Sequence, residues 1–254
     1  EIYQQDPETF NRSIANLKQE RQALVDDFFK KNTTDNYFEK IANTIVNYDF
    51  YARKEVYPMS HFGVDRVTFL ESLPKSFYDY REEVDFNDAS LLELCSYQRF
   101  LINYFNQAAF KDYYKQEAYD PLSFTHNLHK LRLIETEVDN DSVESFLLTR
   151  TIRDYLANSN DKKGGQPLYD MYMERIASKD DKFIIKSLYE ANKNIETGKR
   201  IPNEKLINID SDTLNFDEII NRPSFIFFWS SSRKSHAIRA QKLARSLQKK
   251  YPEY

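Results

Sequence analysis

Apolar residues recur at three- and four-residue intervals through residue 197, the spacing of residues that share one helix face. Asp6 to Glu8 is typical of a helix start, with proline early and an acid in the first turn. Asn32 to Asp35 caps a second helix, predicted to end near Arg53, and Pro58 and Gly63 predict an irregular connection after it. Further helices are predicted at about 75–82, 91–116, 121–138, 142–158, 167–178 and 181–197.

The helix predicted over residues 91–116 is apolar over the widest arc, so we expect it at the centre of a helical domain. Breaks at 139–141 and 162–165, and Gly198 just past a helix end, leave connections short enough for antiparallel helix pairs. The first domain is therefore predicted to be α-helical and to span residues 1–198. The apolar residues of the central helix are Leu91, Leu94, Cys95, Phe100, Leu101, Tyr104, Phe105 and Phe110.

The pattern changes after Gly198. From Phe225 to Trp229 four residues are aromatic and the fifth is β-branched, with Pro223 just before, which predicts a strand buried on both faces. A serine run follows and offers caps for a helix that closes at Tyr251. The order predicted here is strand, short turn, helix. The apolar stripe of this last helix is Ala240, Leu243, Ala244, Leu247 and Tyr251.

Over residues 199–254 the chain resembles the thioredoxin-like superfamily, most closely the TlpA-type thiol-disulfide oxidoreductases of the bacterial envelope. In that family a hydrophobic strand ends in Phe-Trp-x-x-Trp-Cys-x-x-Cys and passes into a helix that often finishes with Tyr-Pro. Phe228-Trp229 and Tyr251-Pro252 match the two ends of this pattern. Ser232 stands where the family has its second tryptophan, while Arg233 and His236 stand where it has the attacking and the resolving cysteine.

The runs 198–206 and 214–219 also look like the first strand and short turn of that family. The predicted fold class is thus mainly α, with a multi-helical domain followed by an incomplete α/β thioredoxin-like segment at residues 199–254. The resemblance further implies a place in the periplasm or on the outer-membrane surface. There the protein would be free or held by a lipid anchor on a removed N-terminal leader.

Composition narrows the class of protein. With 30% charged residues and a formal net charge of −4, nothing overall favours nucleic acid as a partner. No apolar run approaches the roughly 18 residues needed to span a bilayer. Only 4 glycines beside 19 phenylalanines and 18 tyrosines favour packed helices over a turn-rich β architecture.

The segment from Arg233 to Lys250 carries seven basic residues and no acid. A face that binds phosphate or nucleic acid is one interpretation. The solvated outer face of a helix packed on a sheet is favoured, because the rest of the chain is acidic. In either case Arg233, Lys234 and Arg239 are the residues expected to contact an anion or a protein partner at the helix N-terminus.

The cysteine, two of the histidines and several tyrosines could also form sites, but each is interpreted as a packing or surface residue. Cys95 lies in the most apolar helix and is predicted to be a small buried side chain. His126 and His129 have a spacing compatible with metal ligation, but lack a companion ligand at a telling offset, so a solvated helix face is favoured. No metal or cofactor is predicted. Aromatic residues that could line a groove are predicted to be core instead: Tyr78, Tyr80, Tyr113 and Tyr114.

The replaced cysteines favour a non-catalytic thioredoxin-like binding or scaffold protein of the cell envelope, one component of a larger protein assembly. Arginine has no redox or nucleophilic chemistry at neutral pH, and the local sequence places no acid to orient His236 as a base. One alternative is a thiol-disulfide oxidoreductase that uses cysteines outside this sequence. A less favoured alternative is an anion or nucleic-acid binder acting through the basic helix.

The predicted strand from Phe225 to Trp229 needs neighbours on its edges. Burying its five large side chains is worth roughly 1.5–3 kcal/mol each, and exposing them would invite aggregation. We therefore expect either that the polypeptide continues past Tyr254 with further strands and helices, or that a partner chain covers this strand.

Overall fold

The computed structural model describes residues 2–63, 72–161, 164–194, 198, 200–220, 223–227, 230 and 232–252. These residues are mainly helical, with one small antiparallel sheet near the C-terminus. The chain divides into two compact units, Glu1–Asn192 and Lys193–Tyr254, here called the helical unit and the C-terminal unit. Among the described helices, none combines the length and the apolar character needed to cross a bilayer.

The described part of the helical unit contains seven α-helices, and most begin and end within a few residues of the predicted spans. Short 3-10 helices lie at Ile2–Gln4, Lys75–Glu83 and Ala89–Leu91. The α-helices are α1 (Pro7–Lys31), α2 (Asn36–Phe62), α3 (Cys95–Tyr113), α4 (Phe124–Glu137), α5 (Asp141–Asn158), α6 (Gly165–Arg175) and α7 (Lys179–Asn194).

The first two helices begin where short polar side chains satisfy exposed backbone amides. The Asp6 carboxylate accepts a hydrogen bond from the Thr9 amide at 3.0 Å, and the Asp35 carboxylate accepts one from the Phe38 amide at 2.7 Å. Both caps lie in the segments from which the sequence predicts helix starts. Local hydrogen bonding therefore accounts for these two boundaries.

The predicted break at Pro58 is wrong, because α2 continues through this residue to Phe62. A proline inside a helix costs about 3 kcal/mol through a lost hydrogen bond and a steric clash. Burial opposes that cost: Tyr57 is fully buried and stacks on Phe10 with ring centroids 3.9 Å apart, and Pro58 is itself buried. The Tyr57 hydroxyl also donates to the Gln5 carbonyl at 2.7 Å. Tertiary packing thus keeps this end of the helix intact.

Helix α3 lies at the centre of the helical unit, as predicted, and packs against α2 and α4. The main core continues from these helices through α5 to α7. Burial of this apolar surface is the main force that orders the unit. Fully buried side chains of α3 include Tyr97, Phe100, Leu101, Phe105 and Ala109.

The prediction of a buried Cys95 is wrong, because the residue is exposed. Residues 89–91 form a 3-10 helix instead of extending α3, so α3 begins at Cys95. The following Ser96 and Tyr97 are buried in place of the cysteine. A shift in helix start rotates every side chain relative to the core, since successive residues are 100° apart.

The sheet of the C-terminal unit is a hairpin of β1 (Lys205–Ile207) and β2 (Thr213–Asn215), in which Leu206 pairs with Leu214. Asn208 organises the turn, because its side-chain oxygen accepts hydrogen bonds from the amides of Asp210 and Asp212 at 2.9 and 2.8 Å. Ser211 completes the turn with a positive φ of 69°. A short helix, α8 (Phe216–Ile219), follows directly and begins with a capping box.

The predicted strand at Phe225 to Trp229 is not formed over its described part. Residues 223–227 have no regular structure, Phe225 and Ile226 are 52% and 42% exposed, and residues 228–229 lie outside the described residues. Within the described chain the two strands pair only with each other. Without a neighbouring ladder to satisfy its backbone groups, an apolar segment does not become a buried strand.

The last helix is confirmed as α9 (Lys234–Lys250). Its stripe differs from the prediction in one position, because Leu243 is 53% exposed while Ala237 is buried. Ala240 and Ala244 are half-buried, as the predicted spacing requires. The stripe is therefore narrower and made of smaller side chains than the sequence suggested.

Candidate functional site

The positions that the resemblance singles out lie at the start of α9, except Trp229, which is outside the described residues. The Ser230 carbonyl accepts a hydrogen bond from the Arg233 amide at 3.1 Å, and the hydroxyl oxygens of Ser230 and Ser232 are 2.8 Å apart. The Arg233 carbonyl then accepts hydrogen bonds from the amides of His236 and Ala237, both at 3.0 Å. Arg233 is thus the N-cap residue and His236 lies in the first turn.

The polar side chains at this helix start all face solvent: those of Ser232, Arg233, Lys234, His236 and Arg239 are exposed. No side chain caps the helix, and within the described chain no ion pair joins these cations to a carboxylate. Free amides at a helix N-terminus and nearby cations both attract negative charge. The arrangement can contact a carboxylate, and its side chains contain no sulfur for disulfide exchange.

The C-terminal unit leaves most of its apolar surface in solvent. Among its described residues only Ala237 is buried, whereas Ile209 is 97% exposed and Ile207 is 76% exposed. Seven further residues are between 39% and 55% exposed: Ile201, Leu206, Ile219, Phe225, Ile226, Ile238 and Leu243.

Part of this surface is a shallow groove of about 290 Å³ between residues 224–227 and the second half of α9. Phe225 lies with its ring centroid 6.4 Å from that of Tyr251, and Leu247 lines the same groove. The aromatic segment therefore packs along α9, although it does not form the predicted strand.

The prediction that His126 lies on a solvated face is wrong, because its side chain is fully buried. Its Nδ1 lies 2.9 Å from the Tyr113 hydroxyl and its Nε2 lies 3.3 Å from Asn106 Oδ1. Since Asn106 Oδ1 can only accept, Nε2 carries the hydrogen and Nδ1 accepts from Tyr113. Burial, with the nearby charge of Lys130, lowers the pKa of His126 to about 3. The imidazole is therefore neutral at neutral pH.

Lys130 belongs to the same buried cluster, because its Nζ donates to Asn106 Oδ1 at 2.9 Å. Burial lowers the pKa of Lys130 to about 8. His129 is half-buried, with Nδ1 3.8 Å from the Asp112 carboxylate. Across the described residues no group of three side chains that could hold a metal ion occurs.

A second buried cluster is centred on Glu55. Its carboxylate accepts hydrogen bonds from both Nε and Nη2 of Arg81 at 2.7 Å. The Tyr80 hydroxyl donates to it at 2.6 Å and the Gln107 amide at 2.7 Å. Burial lowers the pKa of Arg81, but the pairing with Glu55 outweighs this and leaves the pKa raised. These four hydrogen bonds use all the acceptor sites of the Glu55 carboxylate. The cluster joins α2, α3 and the 3-10 helix at Lys75–Glu83.

The sequence pattern did not predict the Glu55 cluster, because the partners of Glu55 lie 25 to 52 residues away from it along the chain. One signal was present: Glu55 follows Tyr48, Tyr51 and Ala52 on the buried face of α2, where a charged residue needs a partner. The prediction that the tyrosines belong to the core is confirmed for Tyr80, which is 6% exposed, and for Tyr113, which is buried. Tyr78 and Tyr114 are half-buried.

Comparisons with protein-family models, with curated proteins and with solved structures return no match to this chain. The thioredoxin-like assignment therefore stays a prediction.

Proposed function

We propose that this chain is a non-catalytic, thioredoxin-like binding or scaffold protein of the bacterial cell envelope, acting as one component of a larger protein assembly. The observation that supports it best is the apolar surface of the C-terminal unit, where nine large apolar side chains are at least 39% exposed. Burying one such side chain contributes roughly 1.5–3 kcal/mol. A protein partner that covers even half of them would gain substantial binding energy.

The chemistry of that partner follows from the charge of α9. Arg233 to Lys250 has seven basic residues and no acid, and Ile238 and Leu243 are exposed among them. A complementary surface has an apolar centre and acidic residues around it. At the helix start, Arg233 and Lys234 would meet its carboxylates.

Site-specific photo-crosslinking in the cells that make the protein tests this proposal. A photoreactive phenylalanine at Ile238, which is 55% exposed, should give one discrete adduct with another protein. The matched control is Leu24 of α1, which is 71% exposed in the helical unit and should not give that adduct. Absence of an adduct at Ile238, or the same adduct at both sites, would overturn the proposal.

A separate assay addresses catalysis. Arg233 and His236 occupy the positions of the two cysteines in the family pattern, and neither side chain can form a mixed disulfide. The purified natural protein should therefore show no turnover in insulin reduction with dithiothreitol. Turnover would instead support a thiol-disulfide oxidoreductase.

A further inference from the structure

The helical unit has an open groove of about 760 Å³ between α5 and the connection from α6 to α7. Phe146 and Ile176 supply apolar surface within it. Thr149 also lines the groove, and its hydroxyl is 2.9 Å from that of the buried Tyr172, which fixes this wall to the core. The groove is therefore held in shape by packed helices.

Charge is distributed unevenly along this groove. Asp141 lies at the start of α5, and Asp181 faces the same end from the first turn of α7. Arg150 and Arg153 lie two to three turns farther along α5. One end of the groove is thus acidic and the other basic.

Ion pairing within the protein leaves charge available at the basic end. In the acidic half, Glu144 accepts from Arg175 Nε at 2.8 Å, so those two charges compensate each other. Arg150 pairs at 2.8 Å with Asp154. Arg153 is exposed and has no ion pair within the described part of the chain. An exposed guanidinium beside an apolar groove is well suited to a carboxylate.

We propose that this groove binds an extended segment of a partner protein that has an acidic side chain toward Arg153 and a basic side chain toward Asp141 and Asp181. Asp141 and Arg153 are 12 positions apart in α5, which corresponds to about 18 Å of helix. An extended chain covers this length in about five residues. The carboxylates of the acidic end repel phosphates, which disfavours a nucleic acid or a free polyphosphate. This site lies in the helical unit and does not depend on the function proposed for the C-terminal unit.

Fluorescence anisotropy of labelled ten-residue peptides, titrated with the 254-residue protein, tests the proposal. The probe has one Glu and one Lys five positions apart, leucine between them and serine elsewhere, prepared in both chain directions. We expect one direction to bind about threefold or more tighter than a peptide of the same composition with adjacent charges. Arg153→Ala should weaken its binding about two- to fivefold, whereas Arg132→Ala, at an exposed arginine of α4, should leave it unchanged.

A charge reversal provides a sharper readout than loss of affinity. Arg153→Glu should weaken binding of the Glu/Lys peptide and improve binding of a peptide with Lys at both positions. Equal affinities for all the peptides, no effect of Arg153→Ala, or no saturable binding in the low millimolar range would overturn the proposal.

Discussion

The buried His126 predicts that acid destabilises the helical unit, and that replacing this one side chain removes part of the effect. His126→Gln keeps a donor and an acceptor for Asn106 and Tyr113 but has no titratable group. The neutral imidazole is the form that the fold accepts, because its Nδ1 accepts from Tyr113 and the site is fully buried. Protonation would place a charge beside the ammonium group of Lys130, which also contacts Asn106.

The magnitude follows from the pKa of His126, which is about 3 in the folded protein against an ordinary value of 6.5. Because the folded-state pKa is the lower one, the stability is fully present above pH 6.5 and is lost as the pH falls toward 3. At about 1.4 kcal/mol per pH unit, the loss attributable to His126 between pH 7 and pH 5 is about 2 kcal/mol. Lys130, with a pKa of about 8, stays mostly protonated over this range.

Urea unfolding followed by circular dichroism at pH 7, 6 and 5 measures this loss. The natural protein should lose about 2 kcal/mol more free energy of unfolding over this range than His126→Gln does. Any constant cost of the substitution cancels, because only the change with pH is compared. Parallel pH profiles for the natural protein and His126→Gln would refute the reasoning.

Three further outcomes are expected. Glu55→Gln should destabilise the protein by about 1–3 kcal/mol in urea unfolding, because the half-buried Arg81 loses its charged acceptor; a change under 1 kcal/mol would contradict this. Gly164→Ala should cost about 1–3 kcal/mol and lower the melting temperature, since the added Cβ would lie 2.8 Å from Phe124 Cβ; an unchanged melting temperature would show that the neighbours can move. Cys95 should react with a thiol reagent at one equivalent in the native protein, and Cys95→Ser should abolish the reaction; reaction only after denaturation would place the thiol in the core.

The sequence by itself determined most of the helices of this protein. Helical periodicity and caps such as Asp6 and Asp35 act over a few residues, so their information is local and can be read without a fold. The start of α9 also follows the serine run as predicted, although its N-cap residue is Arg233 and no side chain caps it. The buried face of a helix was harder to predict from the sequence. His126 and Cys95 are each placed by neighbouring segments that the local pattern does not identify.

The tertiary structure alone decided the features that depend on distant segments. Glu55 meets Arg81 only because α2 and the 3-10 helix at Lys75–Glu83 pack together, and Pro58 stays helical only because Tyr57 is anchored on Phe10. Residues 225–227 show that a local sequence pattern can also favour a structure that does not form. Their aromatic and β-branched side chains favour a strand, but a strand is a property of at least two paired segments, and within the described chain none pairs with this one.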